Sequence, residues 1–166
     1  MAREAQVAEQ TVHNYFPTKE QLVTDREQQI QDRLRDLIRS QPPAVTPAAA
    51  IRDFVLGSVD AIRGIAPEIR RGEPGYLAAI SPAGHRLALK LTDRQAVALA
   101  SAIRDTTTVA PEIARRQGIA LAGVFQITIS EAGQRARDGQ SQAEIANELR
   151  PIVENVLDEL DRWFSV

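Results

Sequence analysis

The chain has no cysteine. Disulfide staples, thiolate metal sites and cysteine nucleophiles are therefore excluded. Histidine occurs twice, tryptophan and methionine once each, and aromatic residues make up only 4% of the 166 residues. Two histidines with no carboxylate at metal-ligand spacing suggest no metal site, and no glycine-rich run is placed to cradle a phosphate. Long apolar runs are also missing. The longest, 118–125, is far too short to cross a bilayer, and no basic stretch followed by an apolar one opens the chain as a secretory leader would. A net charge of −2 gives no general attraction for nucleic acid, so any such contact has to come from a local patch. These absences point away from an enzyme, a cofactor-bearing protein and a membrane protein. They fit a cytoplasmic location.

What is present is Ala, Leu, Ile, Arg, Gln and Glu, most of them good helix formers. Hydrophobic residues reach 43% and charged residues 25%, in a chain long enough to bury a core without staples. β-branched residues are scattered rather than gathered into short, evenly spaced strands. The expected fold class is all-α.

Helix signals divide the chain. Ala2–Ala5 reads as the tail of a helix, 6–8 as a turn, and 9–16 as a short helix that Pro17 ends. Thr18-x-x-Gln21 is a capping box. It opens a long helix with Leu22, Ile30, Leu34, Leu37 and Ile38 on one face. A linker over 40–47 contains Pro42-Pro43. Pro47 opens the next helix, with Ile51, Phe54, Val55, Val59 and Ile62 on one face. Residues 64–75 form a loop with at most a short helix, and its basic pair Arg70-Arg71 is expected in solvent, with recruitment by a ligand carboxylate as the alternative. A short helical piece spans 76–80. Ser81-Pro82 is an N-cap with proline in the first helical position, starting a helix that runs to about Asp105. The threonines at 106–108 break it. Pro111 starts another helix, with an interruption expected near Gly118. From Ile119 to Ile129 nearly every residue is apolar, which requires burial on more than one side. A strand over 124–129 is the alternative, but it would have no partner. The last helix opens on a second capping box, Ser141-x-x-Glu144. It carries Ile145, Leu149, Ile152, Val153, Val156, Leu157, Leu160, Trp163 and Phe164, and Pro151 is expected to kink or split it.

The N-terminal segment has the makings of a helix-turn-helix, which places its second helix in the DNA major groove. Ala5 and Val7 can lock the two helices together. Glu9, Gln10, Thr11, His13 and Asn14 are then free to face bases, although His13 could equally be a solvent-exposed filler. Tyr15 and Lys19 can reach phosphates, which position a protein without reading sequence. Backbone amides at the start of the Thr18 helix add affinity for anions.

The stretch from Ala2 to Leu22, above all Tyr15-Phe16-Pro17-Thr18-Lys19-Glu20, resembles the helix-turn-helix signature of the TetR family of transcriptional regulators. That signature runs roughly Ile-Ala-x-x-Ala-Gly-Val-Ser, then Thr-hydrophobic-Tyr-x-Tyr-Phe-x-Ser-Lys-Glu-x-Leu. The resemblance is sharp over these residues; the rest of the chain agrees in architecture. It implies a division into a DNA-binding part with its connecting helix, 1–39, and a ligand-binding and dimerisation domain, 40–166. It further implies a homodimer formed by the last two helices, a small-molecule effector bound in the larger domain, and release of operator DNA when that effector binds. No cofactor is implied.

The match departs from the family in three places. Gln6 stands where the turn glycine is usual, and Ala8 where the capping serine is usual, removing an acceptor that contributes about 1 kcal/mol. The family also has a whole helix and the start of a second before the position of Ala2. Arg3 and Lys19 against Glu4, Glu9 and Glu20 leave residues 1–22 at −1, whereas a DNA reader is locally basic. Weak or absent operator binding by this chain is therefore expected, and a dimeric helical ligand-binding or interaction module is the alternative function. For the effector pocket, Phe54, Ser58, Tyr76, His85 and Phe125 are the candidate lining residues, with core packing the competing role for Phe54 and Phe125. Trp163 and Phe164 are expected to pack in the core or at the dimer seam. Glu154 and Asp158 are spaced as a pair of acids and are expected to face solvent.

Overall fold

The computed structural model describes residues 19–42 and 44–165, with side chains from Glu27 onward apart from that of Pro67. The expected helix-turn-helix and the Thr18 cap lie outside the described residues. Within them the chain is all-α: α1 (Lys19–Arg39), α2 (Pro47–Ala61), a 3-10 turn (Ile62–Gly64), α3 (Pro67–Arg70), α4 (Pro74–Ile80), α5 (Pro82–Thr106), α6 (Pro111–Arg137) and α7 (Gln142–Phe164).

Local chemistry sets most of these boundaries. Five helices begin on proline, whose fixed φ suits the first turn and whose missing N–H leaves no donor unsatisfied there. Thr46 caps α2 by accepting from the Ala49 amide at 3.1 Å, and Ser81 caps α5 by accepting from Gly84 at 3.0 Å. At α7 the box closes in both directions. Ser141 Oγ accepts from the Glu144 amide at 3.3 Å, and the Glu144 carboxylate accepts from the Ser141 amide at 2.8 Å. These bonds hold the Glu144 carboxyl below its ordinary range, the Ser141 side chain first and its backbone second.

Helix α5 lies along α6, and α4 packs against both; α1 lies on α5, α2 runs beside α7, and α7 folds back on α6. One cluster fills the space between them, with Leu34, Ile51, Val55, Leu99, Ile103, Leu121, Ile145, Leu149 and Leu157 fully buried. Leu34 and Ile38 place the C-terminal half of α1 in this same core.

Two expectations are corrected and two are met in part. Helix α6 is not interrupted at Gly118. A Cβ there would lie 2.7 Å from the Ala96 carbonyl and the Ala100 amide, so this glycine allows α5 and α6 to approach closely. Helix α7 runs through Pro151 without splitting. Proline inside a helix costs about 3 kcal/mol. Leu149 and Val153, fully buried on either side of it, offset that at about 1.5–3 kcal/mol each. The apolar stretch of α6 is buried against α4 and α5 and against α7, through Leu121, Ala122, Val124 and Phe125, while Ile119, Ile127 and Ile129 are exposed. Arg70 is buried, whereas Arg71 is in solvent as expected.

Polar contacts also join α2 to α7. Arg52 bridges Asp158 at 2.5 Å and Glu154 at 3.1 Å, Arg150 bridges Asp60 at 2.5 Å, and Thr46 donates to Asp161. Glu154 and Asp158 are thus not simply solvent-facing acids. The bond to Asp158 raises the Arg52 pKa above its ordinary value; burial opposes this and Glu154 adds to it.

Candidate functional site

Two surfaces stand out, and each arises from helix periodicity. The first is a groove between α1 and α5. On α1, Glu27, Gln31, Arg35 and Arg39 recur every four residues and so share one face. Asp93, Arg94, Val97, Ala98 and Ser101 of α5 line the opposite wall, enclosing about 560 Å³. That volume falls within the range that takes a small ligand. Arg39 Nη2 meets Asp105 Oδ2 at 2.6 Å and closes the C-terminal end. This pair lies near the C-terminal ends of both helices, and both groove walls are built from residues that precede it. Arg35 pairs with Asp32 at 2.6 Å. Val97 is 65% exposed, leaving an apolar strip in an otherwise polar groove.

The second surface is the outer face of the α6–α7 hairpin. These helices run antiparallel through a four-residue turn in which Gly139 adopts φ 88°, a left-handed conformation that suits glycine. Ile127 on α6 and Ile152 on α7 stand equally far from this turn and are both exposed. Ile113, Ile119 and Trp163 are also exposed on these two helices. Gly123 lies between Ile119 and Ile127 on α6, and a Cβ there would meet no atom within 4 Å. The Trp163 ring lies 5.1 Å from that of Phe164, tilted by 45° to it, and Phe164 itself packs against the core, so the exposed indole stays anchored to it.

The candidate residues are dispersed. Glu9, Gln10, Thr11, His13, Asn14 and Tyr15 lie outside the described residues. Lys19 is the first residue of α1. Phe54 on α2 packs against the core, and Phe125 on α6 is part of it. Ser58 donates to the Val55 carbonyl of its own helix at 2.7 Å. Tyr76 is half-buried on α4, and His85 is exposed in the first turn of α5. Neither the α1–α5 groove nor the small pocket among Ile38, Val45, Pro47 and Thr106 is lined by any of these five. Sequence reasoning did not single out the groove residues. The four-residue recurrence on α1 was readable, but only the fold supplies the facing helix.

Among the described residues, no group of three or more His, Asp or Glu side chains is placed to hold a metal ion, and no helix is long and apolar enough to cross a membrane. No known protein family, curated protein or solved structure matches the chain.

Proposed function

We propose that the chain is a cytoplasmic, TetR-like transcriptional repressor. It dimerises through α6 and α7, binds a small-molecule effector in its helical body, and reads operator DNA with residues 9–19. The motif Tyr15-Phe16-Pro17-Thr18-Lys19-Glu20 supports the regulatory role. The observation that carries the reading is that the last two helices, packed on each other, both expose large apolar residues, Ile127 and Ile152 among them. Exposed apolar residues on neighbouring helices support an association site, and a two-fold dimer would set each hairpin against its copy. The α1–α5 groove is a natural effector site, because α1 leads directly from the motif into the body.

Light scattering and a mobility-shift assay on DNA selected from a random duplex pool test the proposal. Wild type is expected to be a dimer, with Ile127→Glu shifting it to monomer. A wild-type monomer at micromolar concentration overturns the dimer and the repressor together. The −1 charge of residues 1–22 favours a second reading, a dimeric ligand-binding module that does not read DNA. A dimer that retains no DNA at low salt selects that reading.

A further inference from the structure

We propose that Arg70 is the recognition residue for a monocarboxylate ligand that binds beneath the α3–α4 segment. This site is separate from the α1–α5 groove, and the inference does not rest on the effector-binding reading.

Arginine stays charged in proteins and offers five N–H donors in a rigid planar fork. A long side chain on a short surface segment would ordinarily extend its head into water, as neighbouring Arg71 does. Arg70 does not: the residue is only 5% exposed. Its Nη1 donates to Glu73 Oε2 at 2.5 Å, fixing the guanidinium across the turn between α3 and α4. The other two nitrogens, Nε and Nη2, are shut off from solvent and have no acceptor among the described residues. Those two atoms form a single edge of the guanidinium. Their N–H bonds run parallel and match the two oxygens of a carboxylate. Among the described residues this bidentate fork is unused, and it lies in a water-poor setting, where an anion interacts most strongly.

The location allows a ligand to enter. No residue between 66 and 95 belongs to the main hydrophobic cluster. Helix α3 has four residues and carries Ile69 outward at 62% exposure. Such a segment opens at low cost, because few apolar contacts hold it closed. Helix α4, by contrast, is fixed to α6 by backbone contact at Gly75 and Gly133. Movement therefore falls to α3 and its turn, which carry Arg70. Glu73 on the opposite edge disfavours a second negative charge on the ligand, which selects a monocarboxylate over a phosphate dianion.

The experiment uses the whole chain and hexanoate as probe, with hexanol as its uncharged counterpart and inorganic phosphate as the dianion. The Arg70 Nε–Hε NMR signal, assigned by its absence in Arg70→Lys, is followed through each titration. Hexanoate is expected to move it saturably in the millimolar range or below; hexanol and phosphate are not. Arg70→Lys keeps the charge and a partner for Glu73 but lacks the fork, and is expected to bind hexanoate at least about tenfold more weakly. Arg71→Lys is expected to bind as wild type. Unchanged affinity in Arg70→Lys, an equal response to hexanol or phosphate, or no saturable response to hexanoate overturns the proposal. If Arg70→Lys fails to fold, the signal is assigned instead by through-bond correlation to the Arg70 backbone, and the wild-type titrations with hexanoate and hexanol decide. Because the measurement needs neither dimer nor DNA, failure of the repressor reading leaves its outcome intact.

Discussion

Gly75 and Gly133 meet backbone to backbone where α4 crosses α6. A Cβ on Gly133 would overlap the Gly75 carbonyl group, and a Cβ on Gly75 would overlap the Ile129 carbonyl. Gly133→Ala is therefore expected to destabilise the fold by about 1–3 kcal/mol through overpacking, even though alanine is the better helix former. Gly57, inside α2, has open space around it. Gly57→Ala is expected to stabilise by roughly 0.5–1 kcal/mol. Chemical denaturation of both variants checks this pair, and equal effects in the same direction would count against the close approach.

Pro151→Ala is expected to raise the thermal midpoint. The proline is exposed within an unbroken α7, and its replacement restores a backbone donor. The expected gain is about 1–3 kcal/mol, reduced by the extra freedom of the unfolded chain. Leu149→Ala, two residues earlier but fully buried, is expected to lose about 2–5 kcal/mol.

The α7 capping box gives a pH dependence with a defined sign. The folded-state pKa of Glu144 lies below its ordinary value of 4.5. Its contribution is present above that ordinary value and is lost as pH falls through the lower folded value. Acid titration by amide hydrogen exchange should therefore show the first turn of α7 fraying below about pH 4.5. Ser141→Ala removes the larger of the two causes but keeps the backbone donor, and should weaken this dependence, with a loss of about 1 kcal/mol for the cap.

Arg52→Ala cuts both links from α2 to Glu154 and Asp158 while leaving the core untouched. The groups are partly exposed, with 30% of the Arg52 side chain accessible. The expected loss is small, about 0.2–1 kcal/mol per pair, and should shrink in molar salt. A loss that is large and independent of salt would mean that the arginine stem, not its charge, joins the helices.

The helix starts were legible because their signals are local. Pro47, Ser81-Pro82, Pro111 and the Ser141–Glu144 box each act within one turn of chain. What escaped depends on neighbours distant in sequence. Gly118 looks like a helix breaker until Ala96 and Ala100 of α5 are set against it. Glu154 and Asp158 look like solvated acids until α2 brings Arg52 to them. Arg70 beside Arg71 looks like a solvated pair, and each has a glutamate three residues away, so only the fold shows which of the two is buried. The candidate pocket residues share hydrophobic or polar character but not a location, because periodicity assigns a residue to a face without saying what that face meets. The residues of the α1–α5 groove went unnoticed for the same reason.

The Arg39–Asp105 bridge makes a mechanical lever of α1. A helix of 21 residues is about 30 Å long, and this one is pinned near its C-terminal end. Gln31 sits about 12 Å from that pin, and Lys19 about 30 Å from it. A wedge that pushes α1 away from α5 by about 1 Å at Gln31 would, for a rigid rod, carry Lys19 about 2.5 Å. Small work in the groove thus becomes a larger stroke at the end of the helix where the motif attaches.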